Sequence, residues 1–133
     1  MSRALGYEAD VFLGAAGFLC LLAVAIHIAI GGREIARPLL DDENMPRVAR
    51  RTAYFCWHLV TVLLVGMTAA FVWAAMDPTA WEAAALATVI AIAATALSLT
   101  LAIAGEGPAS ELPQWGLFLM IAGLGWFGLS GLQ

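Results

Sequence analysis

His27 and His58 are the two imidazoles of the chain, and each falls inside a long apolar run. Imidazole can give or take a proton, donate a hydrogen bond or ligate a metal. Ionisable groups within such runs face a bundle interior, find partners and mark sites. Three uses are open to the pair. It can fasten two helices through hydrogen bonds to backbone, threonine or water. It can supply both axial ligands of a b-type haem, whose iron accepts imidazole. It can hold a metal ion, a quinone or a small substrate. A closed zinc site is not expected, because it takes about four ligands. Cys20 is about 10 Å along its helix from His27. Cys56 is two residues from His58 and so on another face.

A second pattern surrounds the pair. A helical hairpin centred between Asp42 and Glu43 sets His27 opposite His58 and Glu34 opposite Arg51. Each partner is seven residues from its histidine, about two α-helical turns, so both levels share a face. The expectation is a polar column of His27/His58 and Glu34/Arg51, with Glu34 and Arg51 in salt-bridge reach. Ala16, Cys20, Ala23, His27 and Gly31 form a stripe of mostly small residues, as close helix packing in lipid requires. For a haem, Tyr54, Phe55 and Trp57 would line the cleft and Arg51 would meet a propionate.

Other chemistries lack their residues. Membrane thiol exchange needs paired cysteines, and Cys20 and Cys56 lie at different depths. Glu8, Asp10, Asp77, Glu82, Glu106 and Glu111 stand at or beyond the ends of the apolar runs, which leaves no carboxylate inside for proton coupling. Thr61, Thr68, Thr88, Thr95, Ser98 and Thr100 are expected to bond back to their own helices. The formal charge of −4 and the lack of a basic arm exclude nucleic acid as a partner.

The elements that position these residues follow from composition. The chain has 133 residues, 62% hydrophobic and 12% charged, with mean hydropathy +0.89. A globular domain has about a quarter charged residues. Four apolar segments cover about 11–32, 53–76, 81–104 and 114–132. Each is near the ~20 residues that cross a bilayer, and in lipid such runs become helices. The first is too long for a signal-peptide core, and Gly31-Gly32-Arg33-Glu34 is a poor cleavage site.

Arg33, Arg37, Arg47, Arg50 and Arg51 all lie between the first two segments. The positive-inside rule therefore puts a hairpin of about 33–52 in the cytoplasm and both termini outside. These arginines are expected to meet lipid headgroups or a partner. Arg33 to Leu40 can extend the first helix, with Pro38 as a kink or stop. Asn44 is read as an N-cap and Pro46 as the first turn of the next helix. Asp77-Pro78-Thr79 reads as a tight turn, and 105–113 as a longer connection.

The expected fold is all-α: one transmembrane domain over 1–133, an up-down-up-down four-helix membrane bundle. The expected function is non-enzymatic, that of an accessory or structural subunit acting through helix packing. Its partners would be the bilayer and a larger membrane complex or further copies of itself. A b-type haem redox protein using His27 and His58 is the alternative, and a small-molecule, quinone or lipid carrier is the third. Arginine as the sole basic residue type, with abundant alanine, points to a GC-rich genome. The expected location is accordingly a bacterial inner membrane.

Overall fold

The computed structural model describes residues 2–105 and 113–131, with side chains from residue 8 onward. The described residues form four helices, with short turns after the first and the second. The first is continuous: α1 (Ser2–Ile26), a π-helical segment (His27–Ala36) and α2 (Arg37–Asp41). The others are α3 (Arg47–Met76), α4 (Trp81–Ala104) and α5 (Gln114–Ser130). The first helix, α3 and α4 with its preceding turn are long and apolar enough to cross a membrane; α5, with 17 residues, is shorter.

Helices outrun the hydrophobic segments. The first helix runs on through residues 33–41, the extension expected from Arg33 to Leu40, and residues 47–52 belong to α3. Helix propagation adds one hydrogen bond per residue ordered, and Arg and Glu are good helix formers. Hydropathy marks where lipid ends, not where the helix ends.

The π segment has two causes in its sequence. Pro38 has no N–H and its ring crowds the carbonyl four residues back. Upstream, Arg37 N–H bonds to the Gly32 carbonyl, five residues back, so the ladder is already widened before the proline arrives. The Gly31-Gly32 pair lowers the resistance to this change, since glycine is the least constrained residue. Pro38 thus sits in the opening turn of α2 instead of ending the helix.

The hairpin tip also departs from the sequence reading. Asn44 N–H bonds to Asp42 Oδ1 at 2.9 Å, an Asx turn. That leaves Pro46, not Asn44, at the N-cap of α3, with no side-chain cap. Arg50 Nη1 donates to the Asp42 carbonyl at 2.9 Å and ties α3 to the tip. At the next turn, Asp77 Oδ1 accepts from Thr79 N–H at 2.9 Å and Thr79 Oγ1 at 2.7 Å, and a 3-10 turn, Pro78–Ala80, leads into α4. The third connection, with Glu106 and Glu111, lies outside the described residues.

α1 packs against α3 and α5, and α4 packs against α5 and less extensively against α3. The core lies in the half of the molecule away from the hairpin. Leu13, Ala16 and Cys20 meet Met67, Phe71 and Ala74, while Ala84, Ala87, Ala91, Ile121 and Ala122 close the other side. Phe71 is fully buried. A Cβ on Gly125 would stand 3.0 Å from the Phe71 ring and closer still to Thr88 Oγ1; one on Gly128 would stand 2.7 Å from Leu13. Small residues here let helices approach until side chains interlock, the mode of packing that works where lipid offers no hydrophobic gain.

Candidate functional site

At the hairpin end the packing changes character. α3 presents Tyr54, Trp57 and His58 at i, i+3 and i+4, so the three rings are neighbours on its surface. His27, the first residue of the π segment, meets them from the first helix. Its ring stacks on Trp57, with centroids 4.3 Å apart and an 18° interplanar angle. His27 Nε2 lies 3.1 Å from the Trp57 carbonyl oxygen. A carbonyl can only accept, so this bond requires a proton on Nε2.

Trp57 is the hub of the cluster. His58 meets it edge-on at 5.1 Å and 84°. Tyr54 lies parallel to it at 6.4 Å and edge-on to His58 at 4.5 Å. The indole rests over the π segment: a Cβ on Gly31 would be 3.8 Å from Nε1, and one on Gly32 3.9 Å from the ring. The glycines therefore leave a shelf for a large ring. The indole Nε1 is buried and has no hydrogen-bond partner among the described residues.

The two histidines are thus brought together through Trp57, each against a different part of it. His27 is half-buried and His58 exposed. The mirrored register set residue 27 against 58; the contact made is with 57. One residue is about 100° of helix rotation, enough to turn His58 outward. The sequence reading gave Trp57 as part of the lining of a haem cleft. Its position three residues after Tyr54 and beside His58 was the available signal for a ring cluster.

Glu34 and Arg51 are both exposed. The shared face for His27 and Glu34 assumed α geometry, and both belong to the π segment. With hydrogen bonds five residues apart, seven residues no longer complete two turns, so the α-helical count that put His27 and Glu34 on one face does not apply here. Arg51 lines an open groove with Arg47, Val48, Thr52 and Phe55. Phe55 is therefore part of that groove and exposed. Arg33 and Arg37 are exposed on the first helix, and Arg50 is engaged with Asp42.

Cys20 is buried in the core and Cys56 exposed, both as free thiols. Among the described residues no three His, Cys, Asp or Glu side chains converge as metal ligands. The hydroxyls of Thr61, Thr68, Thr88, Thr95, Ser98 and Thr100 each donate to a carbonyl four residues back. What the cluster leaves open to a ligand is the exposed imidazole of His58, while the indole N–H of Trp57 is buried. Compared with protein-family models, curated proteins and solved structures, the chain matches none.

Proposed function

We propose that the chain is a multi-pass membrane subunit that works by helix packing against another membrane protein or a second copy of itself. In this reading the helices run up-down-up-down through a bacterial inner membrane. The arginine-rich hairpin is cytoplasmic and both termini lie outside. α5 crosses as well, since 17 residues stand at the lower end of the ~17–25 that suffice.

The observation that carries the proposal is Gly66. The core glycines are needed inside the fold, where a Cβ would strike a neighbour. Gly66 is exposed, and a Cβ there would meet no atom within 4 Å. Glycine in a helix costs about 1 kcal/mol relative to alanine, and nothing among the described residues uses the space. Val62, Gly66, Ala69 and Trp73 form one exposed stripe of α3, with the two smallest residues between larger ones. That notch fits the close approach of an outside helix.

Gentle extraction from native membranes tests this. The wild-type chain should bring a membrane partner, or a second copy, at fixed stoichiometry. Gly66→Leu should abolish that association and leave the thermal unfolding of the chain unchanged. A wild-type chain that emerges alone and monomeric overturns the reading. The alternative of a b-type haem held by His27 and His58 would require His27 Nε2 to leave the Trp57 carbonyl. Reducible Soret, α and β bands that vanish in His27→Ala and His58→Ala would replace the subunit reading with it. A carrier would instead reveal itself by stabilisation with its ligand.

A further inference from the structure

The groove on the opening turns of α3 has a chemistry distinct from the histidine cluster. It is open, about 380 Å³ in volume, and lined by Arg47, Val48, Arg51, Thr52 and Phe55. Arg47 and Arg51 are four residues apart and share a face, where like charges repel. They also stand at the end of the helix whose dipole disfavours cations, and the first turn of α3 holds no acidic residue. Arg50 is turned to the Asp42 carbonyl, but Arg47 and Arg51 open into the groove. No carboxylate lines it. An anion seated between the two guanidiniums would relieve both penalties, and arginine's planar fork suits a phosphate oxygen pair.

The rest of the lining says which anion. Val48 is 77% and Phe55 64% exposed, so the groove walls are apolar and uncovered. Residues 47 to 55 span about 12 Å of helix axis, with charge at the top and Phe55 at the bottom, where the long apolar run of α3 begins. Thr52 lies between. Thr61, Thr68, Thr79, Thr88, Thr95 and Thr100 donate their hydroxyls to oxygens of the chain, whereas Thr52 lines the groove. Charge, then hydroxyl, then aromatic wall is the polarity order of a phospholipid from headgroup to acyl chain. A free anion would leave Val48 and Phe55 in water.

We propose that this groove binds one anionic phospholipid, its phosphate held by Arg47 and Arg51, its linkage region beside Thr52 and the start of an acyl chain against Phe55. The site rests on the placement of the hairpin at a membrane surface and is independent of the partner face at Gly66.

The test uses the full chain in micelles of a neutral detergent, titrated with phosphatidylglycerol or with phosphatidylcholine of the same chains. Phosphatidylglycerol should raise the unfolding temperature at concentrations where phosphatidylcholine does not. The double variant R47Q/R51Q should bind it about thirty-fold more weakly, at roughly fivefold per interfacial arginine. R33Q/R37Q should weaken binding clearly less than R47Q/R51Q does, and an equal loss in the two double variants overturns the site. Equal stabilisation by both lipids, or an unaffected R47Q/R51Q, overturns the site. So does an equal effect of inorganic phosphate, which would make it a simple anion site. If R47Q/R51Q does not assemble, a photo-crosslinking residue at Val48 decides. It should capture phosphatidylglycerol in preference to phosphatidylcholine, and equal capture overturns the proposal. Partner association measured through Gly66 should survive R47Q/R51Q, so the two readings fail separately.

Discussion

Phe71 and Trp57 are aromatic residues of the same helix, and both lie against glycines of neighbouring elements. Phe71 sits deep in the half away from the hairpin, fully buried, with the Gly125 backbone so near that a Cβ would fall 3.0 Å from its ring. Trp57 sits at the hairpin end, half-buried, over Gly31 and Gly32 with ordinary contact distances of 3.8–4.0 Å. Phe71 carries no polar atom, and Trp57 carries an indole N–H left without a partner among the described residues. The first region is close-packed α-helix and alanine. The second is a π segment, two histidines and a tyrosine. Interiors packed to crystal density tolerate almost no added volume, while a looser aromatic shelf can absorb a methyl group. The comparison assigns stability to the Phe71 half and adaptable polar contact to the Trp57 half.

The largest effect expected from this contrast is a matched pair of glycine substitutions. Gly125→Ala forces a methyl group against Thr88 and Phe71, and overpacking of this kind costs about 1–3 kcal/mol. Gly31→Ala meets Trp57 at normal contact distance and should shift stability by less than about 1 kcal/mol, partly offset by alanine's better helix propensity. Reversible unfolding in mixed micelles measures both. Equal losses at the two positions would erase the distinction between the halves.

A somewhat smaller effect is expected at His27. Its replacement by alanine removes a hydrogen bond to the Trp57 carbonyl and a ring stack. Each is worth about 0.5–1.5 kcal/mol, and partial relaxation of Trp57 into the space leaves a net loss of about 1–2 kcal/mol. His27→Phe should restore the stacking share alone. If His27→Phe is as stable as wild type, the bond to the carbonyl contributes nothing, and the ring stack alone fastens the hairpin.

The smallest effect belongs to the turn after α3. Hydrogen bonds from the Thr79 hydroxyl and backbone N–H hold the Asp77 carboxyl below its ordinary value of 3.8. A depressed folded value means that ionised Asp77 favours the folded state. This contribution is complete above the unfolded value and fades as pH falls from about 3.8 through the lower folded value. Asp77→Asn should be slightly less stable than wild type at neutral pH. The two unfolding curves should converge as the solution is acidified through that window. A constant gap between them down to the most acid pH tested would show that the carboxylate charge is not what the turn uses.

Length and hydropathy read four spans, of which three are helices long and apolar enough to cross a membrane, and the position of the Asp77 turn. The expected third segment, 81–104, has the bounds of α4, because Pro78 and Gly105 punctuate it locally. The first helix was harder. Its charged extension to Asp41 leaves the apolar run behind, and Pro38 read equally as a kink or a stop. Its passage through Pro38 depends on a widened hydrogen-bond ladder that no periodicity announces. The stripe Ala16, Cys20, Ala23, His27 and Gly31 was legible as a protein-facing surface: the first three are buried and the last two half-buried.

The sequence by itself determined the local matters: helical state, the apolar lengths, the concentration of arginine in one hairpin and the two histidines near its base. These follow from the solvent each residue must meet and from backbone hydrogen bonding within one segment. Tertiary structure decided that His27 stacks on Trp57, that His27 and Glu34 lie in one π segment, and that Arg47, Arg51 and Phe55 share a groove. Contacts across a helical hairpin depend on the phase of both helices at once. A π segment rotates that phase, so a register counted at 3.6 residues per turn loses its place where the chain changes its ladder.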